Sequence, residues 1–267
     1  MAERGLRLKI IFVILAAAAI GYFAPARAYK LTVIPNRLEL TVKPGGRVQG
    51  KIMVGGEFDQ PTRVRASIAD WGMDAQGKVI LQRLGTQPRS MAKWLWLSPA
   101  EFLLSRGRTQ IVNYQIKAPA GISGSYWCAL FFESAPAGPV ARDTVGLRTA
   151  VRLATMIYVS TKRLGTLNVE IEDVTAAYGA GRLVWRARFS NPGEFFVRPS
   201  GFFLLKNART GKLAARVPLP GPALLPGATL VCEAEWRGKL AAGQYVPSVQ
   251  IDFNKRGARQ GPPLKVG

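Results

Sequence analysis

From Lys30 onward the chain alternates between apolar and polar positions. Leu31 and Val33, then Leu38, Leu40 and Val42, stand among polar neighbours on either side of Pro35-Asn36. Val48 to Val54 alternates again between the turn signals Pro44-Gly45-Gly46 and Gly55-Gly56. A period of two predicts strands with one buried face. Val64, Ala66 and Ile68 with Asp70-Trp71, then Val79-Ile80-Leu81, then Ile111 to Ile116, continue the series. Trp94, Trp96 and Phe102 supply large apolar mass, and Pro99 limits the stretch before it to a strand end or sheet edge. Ser125 to Phe132 is almost continuously apolar and predicts a strand inside the core. Turn signals recur every eight to twelve residues or so, the spacing of an antiparallel sandwich. About seven strands are expected over residues 29–160, which suits an immunoglobulin-like domain.

Past Ala135-Pro136-Ala137-Gly138-Pro139 comes Asp143 to Ser160, with a single Gly and no Pro. If it is extended, Val145, Leu147, Val151 and Leu153 face one way with Thr149 between them, while Arg148 and Arg152 face the other. Two readings stand for this apolar side. It is the inward face of the first domain's last strand, or it runs past the sheet and offers an edge to another chain. The rest repeats the same style. Val169, Ile171 and Val174 predict one strand, and Leu183 to Phe189, Phe202 to Leu205, Leu230 to Trp236 and Tyr245 to Phe253 predict four more. A second sandwich over 161–253 is expected, with 254–267, rich in Gly, Pro and basic residues, as a mobile tail. The fold class is therefore all-β, with two immunoglobulin-like β-sandwich domains.

The first residues change the picture of where this chain works. Arg4, Arg7 and Lys9 precede an apolar run from Ile10 to Phe23 and then Ala26-Arg27-Ala28. This pattern predicts a signal peptide over 1–28 cleaved after Ala28, with an uncleaved anchor as the other reading. The run is short for a bilayer span, and no later stretch is long and apolar enough to cross one. A periplasmic location follows. Removing 1–28 takes away four Lys/Arg and one Glu, leaving a net charge of about +18 from the chain's +21. The charge suits an anionic partner, and export makes that partner something other than nucleic acid. The basic residues are scattered, which also fits a solvated surface.

There is no histidine in the chain, so Ser-His-Asp and Cys-His catalysis and His-ligated zinc are excluded. Only Cys128 and Cys232 are present, each in an apolar run of a different half, so two buried thiols or one inter-domain disulfide are open. Glu170, Glu172 and Asp173 cluster on an expected strand and read as a solvated charge group; the carboxylates form no pair of the kind glycoside hydrolysis requires. No catalytic residue, metal site or cofactor is expected, and the chain does not read as an enzyme.

In order and spacing, several short motifs resemble the PapD-like periplasmic chaperones of pilus and fimbrial assembly. In the first half these are Leu31-Thr-Val-Ile-Pro-Asn-Arg37, Phe102-x-Leu104-x-x-Gly107-x-x-Gln110 and Gly124-x-Tyr126-x-x-x-Leu130-Phe131. In the second they are Asn191-Pro192-x-x-x-Phe196-Val197 and Leu225-Pro226-Gly227. The resemblance implies two immunoglobulin-like domains set at an angle around a cleft. It also implies a function: capping incomplete β-sandwich subunits by strand addition, in which backbone hydrogen bonds give affinity and alternate side chains give specificity. The implied partners are a pilin-like or other β-sandwich subunit and an outer-membrane usher. In that family an Arg and a Lys hold the client's C-terminal carboxylate. Arg37 falls at the Arg position, where a guanidinium holds a carboxylate through two charge-assisted bonds, although a surface Arg is the alternative there. Met156 to Tyr158 occupies the Lys position, and none of these residues is basic. Arg152 is a nearby auxiliary cation, and Val145, Leu147, Thr149, Val151 and Leu153 form the expected strand-addition stripe. The competing function is a structural or adhesive cell-envelope protein whose basic immunoglobulin-like modules bind anionic envelope polymers.

Overall fold

The computed structural model describes residues 30–58, 60–136, 150–161, 169–221, 223–251 and 257–266. The expected signal peptide over 1–28 and the stripe positions Val145, Leu147 and Thr149 lie outside the described residues. Ten strands build the first sandwich: β1 (Lys30–Ile34), β2 (Arg37–Thr41), β3 (Arg47–Glu57), β4 (Thr62–Met73), β5 (Val79–Gln82), β6 (Leu95–Ser98), β7 (Glu101–Leu104), β8 (Thr109–Lys117), β9 (Ser125–Pro136) and β10 (Arg152–Ser160). This exceeds the expected seven or so; the Leu95–Leu104 stretch, for one, divides at Pro99 into β6 and β7. One sheet runs β1-β3-β8-β6, and the other runs β2-β10-β9-β4-β5 with β7 also on β4. The order is that of an immunoglobulin-like sandwich, in which the first and last strands of the second sheet pair in parallel.

Alternation decides which side chains enter the first core. Ile52 and Val54 of β3 and Val112 and Ile116 of β8 are fully buried between the sheets, while Lys51, Met53, Ile111 and Asn113 between them face out. On β6 the same rule turns Leu95 and Leu97 toward the core and leaves Trp96 68% exposed. The Trp96 indole, part of the large apolar mass of this stretch, therefore stands in solvent.

The near-continuous apolar run on β9 has a different cause, because both its faces are covered. Cys128, Leu130 and Phe132 pack into the first core. Trp127, Ala129 and Phe131 pack on the opposite side, in a separate cluster with residues of the second sandwich.

That second sandwich sets β11 (Glu170–Gly179), β12 (Arg182–Ser190) and β15 (Thr229–Arg237) against β14 (Leu213–Pro218), β13 (Gly201–Asn207), β16 (Gly243–Ile251), β17 (Gly257–Gln260) and β18 (Leu264–Val266). Trp185, Phe189, Phe203, Leu205 and Val249 fill its core. The expectation of a mobile tail over 254–267 is corrected over its described residues, 257–266. Strands β17 and β18 both pair with β16, Val266 is buried in the second core, and Leu264 packs against it. Two apolar side chains with a place to go outweigh the Gly and Pro around them. No helix among the described residues is long and apolar enough to cross a membrane.

One buried carboxylate fixes the segment that leads into β6. Asp70 on β4 is inaccessible to solvent. Its Oδ2 accepts the backbone N–H of Gly85 at 2.6 Å and of Gln87 at 3.3 Å, and its Oδ1 accepts the Ser90 hydroxyl at 2.5 Å. Removing it orphans three donors, and bonds to charged groups are the costlier kind. Asp70→Ala is expected to lower stability by about 3 kcal/mol or more, read as a fall in the urea midpoint of tryptophan fluorescence.

Candidate functional site

The two sandwiches meet through a third buried apolar cluster. Trp71, Trp127, Ala129, Phe131 and Tyr158 come from the first, and Phe196, Ala223 and Leu225 from the second. Tyr158 lies against Phe196 with ring centroids 4.7 Å apart and edge-on to Trp71 at 5.7 Å. Burying such side chains is worth about 1.5–3 kcal/mol each.

Polar contacts at the rim set how the second sandwich attaches. The Ser125 amide donates to the Glu194 carbonyl at 2.8 Å, and the Phe196 amide donates to the Ser125 hydroxyl at 3.1 Å. That hydroxyl also pairs with the Ser160 hydroxyl at 2.8 Å. Gly124 has φ +87°, and a Cβ there would lie 2.5 Å from the Glu194 carbonyl oxygen, so only glycine fits. Across the joint, Asn191 donates from its side-chain amide to the Phe195 and Leu224 carbonyls, while Gly227 donates to the Asn191 carbonyl. The segments carrying Asn191-Pro192 and Leu225-Pro226-Gly227 are thus tied together, and with Gly124-Ser125 they form the joint. At a second point of attachment, the Val231 amide donates to the Ala75 carbonyl in the β4–β5 turn at 2.7 Å.

On the same side of the sheet lies a charged group. Arg37 begins β2 and pairs in register with Met156, and Glu39 pairs with Tyr158. Arg37 Nε stands 3.3 Å from Glu39 Oε1, and Arg198 Nε donates to the same oxygen at 2.6 Å. The Arg198 guanidinium also sits 5.2 Å from the centre of the Tyr158 ring. Burial raises the Tyr158 phenol above its ordinary value, with Arg198 pulling it the other way. Arg152, four residues along β10 from Met156 and so about 13 Å away, is engaged elsewhere. Its guanidinium lies over Phe131 at 3.9 Å and 3.7 Å from the Glu133 carboxylate. The cation that joins Arg37 is therefore Arg198, from the other half of the chain. Sequence reading missed it, though it directly follows the Phe196-Val197 motif.

Strand β10 has two unlike halves. From Met156 to Ser160 it lies between β9 and β2. From Arg152 to Thr155 it pairs only with β9 among the described residues. The Met156 amide donates to Asn36 and so points to the β2 side. By alternation the main-chain groups of Arg152 and Ala154 point the same way, where no described strand meets them. The side chains of Val151 and Leu153 pack partly buried against the first core, and Thr155 is fully buried, its hydroxyl donating to the Pro35 carbonyl at 2.8 Å. Among the described residues, the open element is thus the backbone edge of β10.

Neither a family model nor a curated protein sequence matches the chain. Among solved structures it is similar to a chain of the chaperone–tip adhesin complex of CFA/I fimbriae biogenesis, at 9% identity and a TM-score of 0.49, covering 88% of this chain and 100% of that one. It is also similar to the YadV chaperone (12% identity, TM-score 0.46, 88% and 99% covered) and to the Pseudomonas aeruginosa CupB2 chaperone (12% identity, TM-score 0.44, 88% and 100% covered).

Both cysteines are buried free thiols in separate cores. Burial pushes both thiols up, Cys232 to about 11 and Cys128 further, with Asp70 adding to the latter. Neither is expected to react with a disulfide reagent at pH 8 in native protein, while both react in guanidinium. Gly124→Ala is expected to loosen the joint and split one calorimetric unfolding transition into two, because the carbonyl of Glu194 occupies the space the methyl group needs.

Proposed function

We propose that this protein is a periplasmic chaperone that caps incomplete β-sandwich subunits of a pilus or other surface structure by strand addition. The observation that carries this reading is the half-paired strand β10. Among the described residues, no strand meets its Arg152–Thr155 backbone on the side where β2 takes over at Met156. An extended client segment continuing the sheet there would meet Arg37 at the start of β2, where a terminal carboxylate could be received. Glu39 engages Arg37 through Nε, and among the described residues the terminal nitrogens have no partner, so they can form the paired bonds a carboxylate accepts. Arg198 supplies the second positive charge beside Met156 to Tyr158, the stretch that stands at the lysine position. Two guanidiniums against one glutamate leave a net positive charge at this face.

In this reading the sequence stripe Val145, Leu147 and Thr149, which continues the Val151, Leu153 alternation, supplies side chains to the client's alternate pockets. An outer-membrane usher would receive the capped subunit.

Affinity-tagged protein recovered from periplasm is expected to bring down a small β-rich subunit. Arg37→Glu should lower that recovery by tenfold or so, a loss near 1.4 kcal/mol in affinity, while moving the thermal midpoint little, because Arg37 is half exposed. Recovery of no subunit, or equal recovery by Arg37→Glu, contradicts the proposal.

A further inference from the structure

The outer face of the β1-β3-β8-β6 sheet points away from β10 and the joint, and the strand-addition reading does not use it. Its side chains fall into rows set by the register. Gln49, Gln115 and Trp96 form one row, and Lys51, Asn113 and Ser98 the next. Arg47 and Lys117 pair on the far side of the first row, about 7 Å along the strands. The two central rows line a groove of about 630 Å3, within the range of small-molecule sites.

Three features of this groove point to one ligand chemistry. First, Trp96 is 68% exposed on a short edge strand, an uncommon place for so large an apolar side chain. Second, Gln49, Asn113 and Gln115 make no side-chain hydrogen bond to another described residue, so three carboxamides present both donors and acceptors to the groove. Third, Arg47, Lys51 and Lys117 form no ion pair among the described residues, and no carboxylate lines the groove. A flat aromatic face suits the C–H face of a pyranose ring. Amides that donate and accept in one plane suit its equatorial hydroxyls, and unpaired cations suit acid groups repeated along the chain. A peptide adding to the β6 edge would use main-chain bonds and would need none of the amides. A nucleic acid would favour several aromatic platforms, and here there is one.

We propose that this face binds an acidic polysaccharide, with one sugar ring stacked on Trp96 and held by Gln49, Gln115 and Asn113, and its acid groups met by Lys51, Lys117 and Arg47. The site would hold the protein against an anionic glycan of the envelope while the β10 edge on the other sheet stays free.

Titration calorimetry on the full chain tests this with a β-1,4-linked mannuronate hexamer, cellohexaose, a polyglutamate of matched charge and a dT hexamer as probes. The mannuronate hexamer is expected to bind, and cellohexaose more weakly. Trp96→Ala should weaken mannuronate binding about tenfold, the scale of one lost ring contact, with an unchanged circular dichroism spectrum because the side chain is exposed. Lys117→Ala should narrow the gap between mannuronate and cellohexaose. No binding of the mannuronate hexamer overturns the proposal. So does equal affinity for polyglutamate or dT, which would mark a general polyanion surface, or full affinity in a folded Trp96→Ala. These outcomes are independent of client capture through Arg37, so either proposal can fail alone.

Discussion

The whole arrangement depends on the contact that Ser125 makes across the joint. Its amide holds the Glu194 carbonyl, and its hydroxyl receives the Phe196 amide while pairing with Ser160. Ser125 opens β9 and Ser160 closes β10, so one small polar cluster pins two of the strands of the first sandwich that face the second. The surrounding apolar cluster shields these bonds from water, which raises what each is worth and the penalty for leaving one unmade. Phe196 then carries its ring against Tyr158, and Arg198 follows two residues later onto Glu39. A shift of the joint would therefore withdraw Arg198 from the charged group around Arg37.

This constraint also explains the composition of β9 and β10. Each strand serves two apolar compartments, one per face, which is why β9 reads as an unbroken apolar run. On β10 the inward positions Leu153, Ile157 and Val159 feed the first core, while Ala154, Met156 and Tyr158 feed the joint. The Arg residues escape to the rim. Arg152 lies over Phe131 beside Glu133, and Arg37 and Arg198 share Glu39. The opposite sheet faces solvent on its outer side, so its alternation is regular and its outward rows are free to carry Trp96, the carboxamides and the cations.

Most of the strands were legible because a period of two needs only local information. Residues that alternate, such as Val48 to Val54 or Leu183 to Phe189, appear as strands where the pattern places them. The motifs at Gly124, Asn191-Pro192 and Leu225-Pro226-Gly227 were also visible. Their meeting was not, since nothing local says that segments as far apart as Ser125 and Phe196, 71 residues, are hydrogen-bonded together. Arg198 was missed for the same reason, because its role comes from Glu39 and Tyr158 in the other sandwich. The face that Trp96 takes was not assigned from its size; it follows from Leu95 and Leu97 on either side taking the inward positions. The tail was misjudged because Gly, Pro and charge outweighed Leu264 and Val266 in a reading without the β16 edge that receives them.

Residue-resolved amide hydrogen exchange, without and with a bound β-rich subunit, tests the central claim most directly: a fixed joint beside an open strand edge. The account predicts slow exchange at Ser125 and Phe196 in both states, and fast exchange at Arg152 and Ala154 that becomes slow only when the subunit is bound. Fast exchange at Ser125 and Phe196 in the free protein would contradict the fixed joint. Protection of Arg152 and Ala154 without a subunit would contradict the open edge.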